Sequence, residues 1–140
     1  MTYNIISTRK LKKEIKIRQP IDIYFFLQRY AKNRKEQFFT ITLDGEHKVI
    51  GIHIVSIGIA NQTIVHPREV YYHAIKDNAC ALIFAHNHPS GQLAISPPDE
   101  EITDRLKSAG KIMGFHIIDH LIFNKKSFLS MRENGYFNQD

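Results

Sequence analysis

Apolar positions along the chain recur with two different periods, and the switches between them mark out the elements. Behind Pro20, the residues Ile21, Tyr24, Phe25, Leu27 and Ala31 repeat at helical spacing, and Lys32-Asn33-Arg34-Lys35 supplies the cationic end that suits a helix C-terminus. Residues 38–43 and 48–59 read as two strands joined at Asp44-Gly45, a hairpin. After His66-Pro67-Arg68 a short helix is predicted over 69–78, then a buried strand over 80–85 and a loop rich in Pro and Gly. A longer helix over 97–113 carries Ile102, Leu106, Ala109 and Met113 as one apolar stripe for the core. A strand over 115–123 follows, and residues 126–133 read as a terminal helix. Helices and strands mixed in this order predict an α/β (α+β) domain with a mixed central sheet flanked by helices.

The chain is 140 residues long, enough for one core but not for two ordinary domains. Residues 1–19 read as a basic N-terminal lead and 20–140 as a single domain. With 43% apolar and 24% charged residues the composition excludes disordered and fibrous classes. No apolar run approaches the roughly 18 residues of a membrane span, and the start lacks the apolar region of a signal peptide, so a cytoplasmic protein with no membrane partner is expected. The single cysteine, Cys80, excludes an internal disulfide and a cysteine-based metal site, and is expected to be a buried strand residue.

The formal charge of +5 is uneven, because Arg9, Lys10, Lys12, Lys13, Lys16 and Arg18 crowd near the start. No stacking aromatic is interleaved among them, so the stretch implies a solvated face, or at most weak, non-specific contact with nucleic acid.

The chemistry concentrates where the buried strand gives way to the loop. If His86 and His88 continue that strand in extended geometry, both side chains point the same way and Asn87 points elsewhere. Downstream, Ser96 reads as an N-cap, Pro97 as the first helical residue and Asp99 as N3, a pattern that fixes a carboxylate in the first turn. Two imidazoles and one carboxylate suit a four-coordinate zinc ion with one position open for water. The same residues also read as two unrelated loop histidines and a capping box. Glu36 sits between the first helix and first hairpin strand, either as one more solvated charge after Lys35 or as a carboxylate facing that water; Glu46, in the turn, is the competitor. A non-haem iron centre uses a similar ligand set, but nothing in the sequence calls for an oxygen-using substrate.

The stretch His86-Asn87-His88-Pro89-Ser90-Gly91, with Ser96 and Asp99 downstream, resembles the His-x-His-x(7)-Ser-x(2)-Asp motif of the JAMM (MPN-type) metalloproteases, in wording closest to the RadC branch. Val65-His66-Pro67-Arg68-Glu69-Val70 and Asp119-His120-Leu121-Ile122 resemble further segments of that branch, so the likeness runs roughly over 36–123. The resemblance implies a JAMM/MPN-like fold, with His86, His88 and Asp99 as Zn2+ ligands, Glu36 as catalytic glutamate, and Ser96 as the serine that stabilises developing oxygen charge. It implies a zinc-dependent metallopeptidase or amide hydrolase acting on a peptide or protein substrate. The alternatives are a DNA-maintenance or DNA-repair accessory protein, an association of the RadC branch, and an inactive protein-binding module. Members of the branch typically carry an N-terminal helix-hairpin-helix region; here one helix precedes Glu36, so direct DNA binding is not expected. His120 and Asp119 read equally as partners of the site, with Asp119 orienting His120, and as the closure of a polar pocket.

Overall fold

The protein was analysed as a computed structural model that describes residues 7–10, 14–28, 34–57 and 65–137. Its elements run β1 (Ser7–Lys10), α1 (Pro20–Leu27), β2 (Gln37–Leu43), β3 (Val49–Ile57), α2 (Pro67–Lys76), β4 (Ala81–Asn87), α3 (Pro97–Met113), β5 (His116–Phe123) and β6 (Phe128–Ser130). The six strands form one sheet in the order β1-β3-β2-β4-β5-β6. Only β4 and β5 are parallel, joined through α3; every other pair is antiparallel. This is the mixed α/β architecture that the two periodicities predict.

Alternation along the central strands divides the core in two. Phe39, Ile41 and Leu43 of β2 and Ala81, Ile83 and Ala85 of β4 meet Ile23, Tyr24 and Leu27 of α1 on one face. Phe38 of β2 and Leu82 and Phe84 of β4 meet Val70, Tyr71 and Ala74 of α2 and Leu106 of α3 on the other. β4 is buried along its whole length, as expected for a strand covered on both sides. His86 continues the parity of Leu82 and Phe84, so it leaves the sheet on the α2/α3 side.

Four details depart from the pattern-based reading. Residues 126–133 are not helical: Asn124 Oδ1 accepts the amides of Lys126 and Ser127, turning the chain so that β6 can pair with the exposed edge of β5, and turns follow. Cys80 is exposed, because it precedes β4 rather than lying inside it. Along α3, Leu106 is buried and Ile102 and Ala109 are partly so, whereas Met113, next to the cap Gly114, is exposed. Of the basic lead, Ser7–Lys10 supplies the edge strand beside β3, and Lys12 and Lys13 lie outside the described residues, as does the predicted helix end at Ala31. No helix among the described residues is long and apolar enough to cross a membrane.

A polar cluster sits beneath α2. His53 Nε2 and the Thr42 hydroxyl each lie 2.7 Å from Asp77 Oδ2, and the His53 and His73 rings stack with centroids 4.2 Å apart. His73 Nε2 is buried without a hydrogen-bond partner among the described residues. Burial is the main reason its pKa is pushed from 6.5 to about 4; the charges of His53 and Lys76 add to the shift, and Asp77 opposes it. The unfolded chain therefore takes up a proton below the ordinary value that the folded chain refuses until about 4, so stability drops as pH falls through this window. Urea midpoints measured across it should fall for the native chain and change less for His73→Phe; an equal slope in both would remove His73 from the account.

Candidate metal centre

The site forms where the C-terminal end of β4 meets the N-terminal end of β2. The antiparallel register sets Phe38 opposite His86. Continuing it outward brings Glu36 opposite His88, and since all four residues share one parity, Glu36, Phe38, His86 and His88 face the α3 side. After His88, Pro89 and Ser90 begin a turn closed by the Gly91 amide on the His88 carbonyl, with Gly91 at φ +89°, a conformation that favours glycine. Asn124 Nδ2 donates to the Gly91 carbonyl at 2.7 Å and pins this loop.

The loop ends at the N-terminus of α3, where a capping box fixes the third acidic or imidazole group. The Ser96 hydroxyl accepts the Asp99 amide at 3.2 Å, and the Ser96 amide donates to Asp99 Oδ2 at 2.9 Å. With Oδ2 so engaged, Asp99 Oδ1 lies 3.1 Å from His86 Nε2. Burial alone would raise the Asp99 carboxyl, but the adjacent His86 ring and the bonds from Ser96 hold it well below the usual carboxylate range.

A run of hydrogen bonds ties both histidines to neighbouring groups, and one of its two directions leaves both Nε2 atoms free. The Thr103 hydroxyl donates to the Asp99 carbonyl at 2.7 Å and, in that setting, accepts from His120 Nδ1 at 2.6 Å. His120 is completely buried, and that burial holds its pKa well below the ordinary value, which favours the neutral ring. With its proton on Nδ1, its Nε2 can only accept, and it does so from His86 Nδ1 at 2.7 Å. His88 Nδ1 donates to the Gln92 carbonyl at 2.9 Å, since a carbonyl has no proton to give. In this direction both protons sit on Nδ1, the arrangement that a metal ion on Nε2 requires.

The two Nε2 atoms are then bare acceptors, and they face each other at 2.8 Å. A cation between them and the Asp99 carboxylate would be held by two imidazole nitrogens and a carboxylate oxygen, a donor set that suits zinc. A tetrahedral ion about 2.0 Å from each donor sets them roughly 3.3 Å apart. The separations are 2.8 Å between the two Nε2 atoms, 3.1 Å from His86 Nε2 to Asp99 Oδ1, and 3.9 Å from His88 Nε2 to Asp99 Oδ2.

Glu36 stands on the other side of the imidazoles, its Oε1 at 3.8 Å from His88 Nε2 and 4.0 Å from His86 Nε2. Glu36, His86 and His88 offer atoms close enough together to hold a metal ion. Glu46 is exposed in the β2–β3 turn, at the opposite end of β2, where it pairs with Lys48 at 3.3 Å. The structure thus brings Glu36, His86, His88 and Asp99 together, sets Ser96 at the cap beneath Asp99, and leaves Glu46 remote.

Sequence reasoning missed Thr103 and left His120 open. Thr103 lies four residues after Asp99, the spacing at which a helical hydroxyl returns to the preceding turn's carbonyl; that was the only signal. Asp119 does not orient the His120 ring. It lies on the opposite face, accepting the backbone amides of His120 and Arg132 and the Ser130 hydroxyl.

A three-layer domain whose central strand ends in two histidines, with an aspartate from the first turn of the following helix, defines the class of JAB/MPN-like domains. A family model described as the RadC-like JAB domain matches residues 17–136, and the chain belongs to that family. It is 43% identical over 130 residues to a UPF0758 protein of Trichlorobacter lovleyi, covering 92% of this chain and 56% of that protein. It is 37% identical over 133 residues to a UPF0758 protein of Geotalea uraniireducens (94% and 58%) and 36% over 122 to one of Methanosarcina mazei (86% and 53%). The chain therefore spans little more than half the length of these curated relatives.

If His120 sets the donor atom of His86, His120→Gln should lower Zn2+ affinity about 10-fold or more, the usual effect of removing such a partner, while Asp119→Asn should not. Chelator competition on the two folded variants checks this; equal affinities would sever His120 from the centre.

Proposed function

We propose that the domain is a zinc-dependent hydrolase, a metallopeptidase that cleaves a peptide or isopeptide bond in a peptide or protein substrate with water as nucleophile. The observation that carries the reading is the pair of Nε2 atoms 2.8 Å apart, flanked by Asp99 on one side and by the non-bonded carboxylate of Glu36 on the other. Bound by His86, His88 and Asp99, zinc would supply a Lewis acid and bring the ionisation of water toward neutral pH.

Glu36 suits the role of proton carrier because it is near the donors yet beyond hydrogen-bond length from both nitrogens. As the water oxygen bonds to the carbonyl carbon, Glu36 takes the proton that water releases. When the carbon–nitrogen bond breaks, the same carboxyl delivers that proton to the leaving amine, so its own state is restored. The Ser96 hydroxyl accepts from the Asp99 amide and keeps its own proton, which it can donate to the oxygen of the attacked carbonyl. Phe38 and His120 wall the buried side of the site, their rings edge-on with centroids 5.4 Å apart, and keep water from the back of His86.

Glu36→Gln keeps shape and size but cannot take up a proton. It should bind zinc like the native chain, close to one ion per molecule, and slow turnover of any cleaved peptide about 100-fold or more. Ser96→Ala should affect turnover less and lower stability by about 1 kcal/mol through the lost cap. Metal analysis and turnover of the three proteins form the test. Full turnover by zinc-loaded Glu36→Gln would refute the role of Glu36, and absence of stoichiometric zinc from the native chain would refute the hydrolase.

A further inference from the structure

We propose that Asn87, the residue between the two histidines, is the positioning residue that holds Glu36 against the metal centre. The proposal rests on the reading of Glu36 as proton carrier given above.

The Glu36 carboxylate is 3.8 and 4.0 Å from the imidazole nitrogens, too far for either contact to fix it. Where it stands must therefore follow from the backbone that bears it. Asn87 follows the strand parity away from His86 and His88, and its carboxamide turns toward β2, 1% exposed. Its Oδ1 accepts the Gln37 amide at 2.6 Å, and its Nδ2 donates to the Lys35 carbonyl at 3.1 Å.

These two backbone groups belong to the peptide units on either side of the Glu36 Cα. The Lys35 carbonyl sits in the plane that sets φ of Glu36, and the Gln37 amide in the plane that sets ψ. One side chain thus holds both planes, and with them the direction of the Glu36 Cα–Cβ bond. Because one partner can only donate and the other can only accept, the orientation of the carboxamide is unambiguous. It also makes the residue type specific. Aspartate retains an acceptor for Gln37 but sets a carboxylate oxygen against the Lys35 carbonyl; alanine retains neither bond.

The consequence is geometric coupling. His86, Asn87 and His88 are consecutive on one buried strand end, so the residue that registers Glu36 is covalently fixed between the two imidazoles that Glu36 must face. A shift of β2 relative to β4 would otherwise move the carboxylate without moving the histidines.

The test compares the full 140-residue chain with Asn87→Ala, Asn87→Asp, Glu36→Gln and the Asn87→Ala/Glu36→Gln double variant. Three measurements are made: Zn2+ affinity by chelator competition, exchange of the Gln37 backbone amide, and crystal structures of the native chain and both Asn87 variants. Zn2+ affinity should stay within about threefold of native, since no donor is touched. The Gln37 amide should exchange at least about tenfold faster in Asn87→Ala and stay protected in Asn87→Asp. In both variants Glu36 Oε1 should leave its place near the two Nε2 atoms while the histidine pair keeps its spacing. On any peptide the native chain cleaves, Asn87→Ala should lower kcat about 100-fold, the size of loss that a misplacement of roughly 1 Å produces, and leave KM near native. The double variant should be no slower than Glu36→Gln.

A Glu36 carboxylate that stays in place in Asn87→Ala overturns the proposal whether or not a substrate is known, as does a double variant slower by the product of the two single losses. If Asn87→Ala fails to fold, the position of Glu36 in Asn87→Asp decides. Full turnover by zinc-loaded Glu36→Gln would instead strike Glu36 as proton carrier, leaving the structural arm to judge the clamp by itself.

Discussion

Two imidazole nitrogens 2.8 Å apart need a proton or a metal ion between them, and a metal ion would fix the direction of every bond behind them. Much of the domain is organised to create that situation. The Asp99 carbonyl takes the Thr103 proton, Thr103 takes that of His120, and His120 takes that of His86. The first and last residues of the run, Asp99 and His86, meet again at the candidate centre, so α3, β5 and β4 close into a ring around it. A metal ion on His86 Nε2 would select this direction over the reverse, in which Thr103 donates to His120, His120 Nε2 to His86 Nδ1, and His86 Nε2 to Asp99 Oδ1. Burial of His120 and Thr103 makes the ring stiff, since no water competes for their bonds.

The sheet topology supplies the remaining geometry. Because β2 runs antiparallel to β4, the start of β2 necessarily lies beside the end of β4, and Glu36 reaches the histidines without a long loop. Because β4 runs parallel to β5 through α3, the first turn of α3 returns to the same sheet end, as is usual where parallel strands finish. Opposite faces of the same strands do different work. The α1 face is apolar under β2 and β4, with one polar knot where Asp119 gathers the turn after β6. The α2/α3 face carries the donors at one end and an apolar layer below them.

Local signals in the sequence were enough for whatever depends on neighbours along the chain. Strand parity placed His86 and His88 on one side, and Ser-x-x-Asp with Pro97 gave both the start of α3 and the capping box that turns Asp99 inward. The family motif identified Glu36, which parity alone left as one charge among several. What stayed hidden depends on partners distant in sequence. Thr103 and His120 line up behind His86 only because β5 lies beside β4, and Asn87 reaches the Lys35 and Gln37 backbone only because β2 lies on the other side. The chain end misled for a related reason: residues 126–133 have few local breakers, yet the free edge of β5 offers a ladder that a lone helix turn cannot match. Cys80 misled because the apolar run starts one residue ahead of the sheet.

The central claim is the tautomer assignment, and it can be measured without a substrate. Long-range proton–nitrogen correlation spectra of the histidine rings, recorded at mildly alkaline pH on metal-free and zinc-loaded protein, report which nitrogen bears the proton. The account predicts the Nδ1–H form for His86, His88 and His120 in both states, with the Nε2 resonances of His86 and His88 alone shifting when zinc is added. An Nε2–H form of His86 or His88 in the metal-free protein, or a zinc-induced shift at Nδ1, would contradict it.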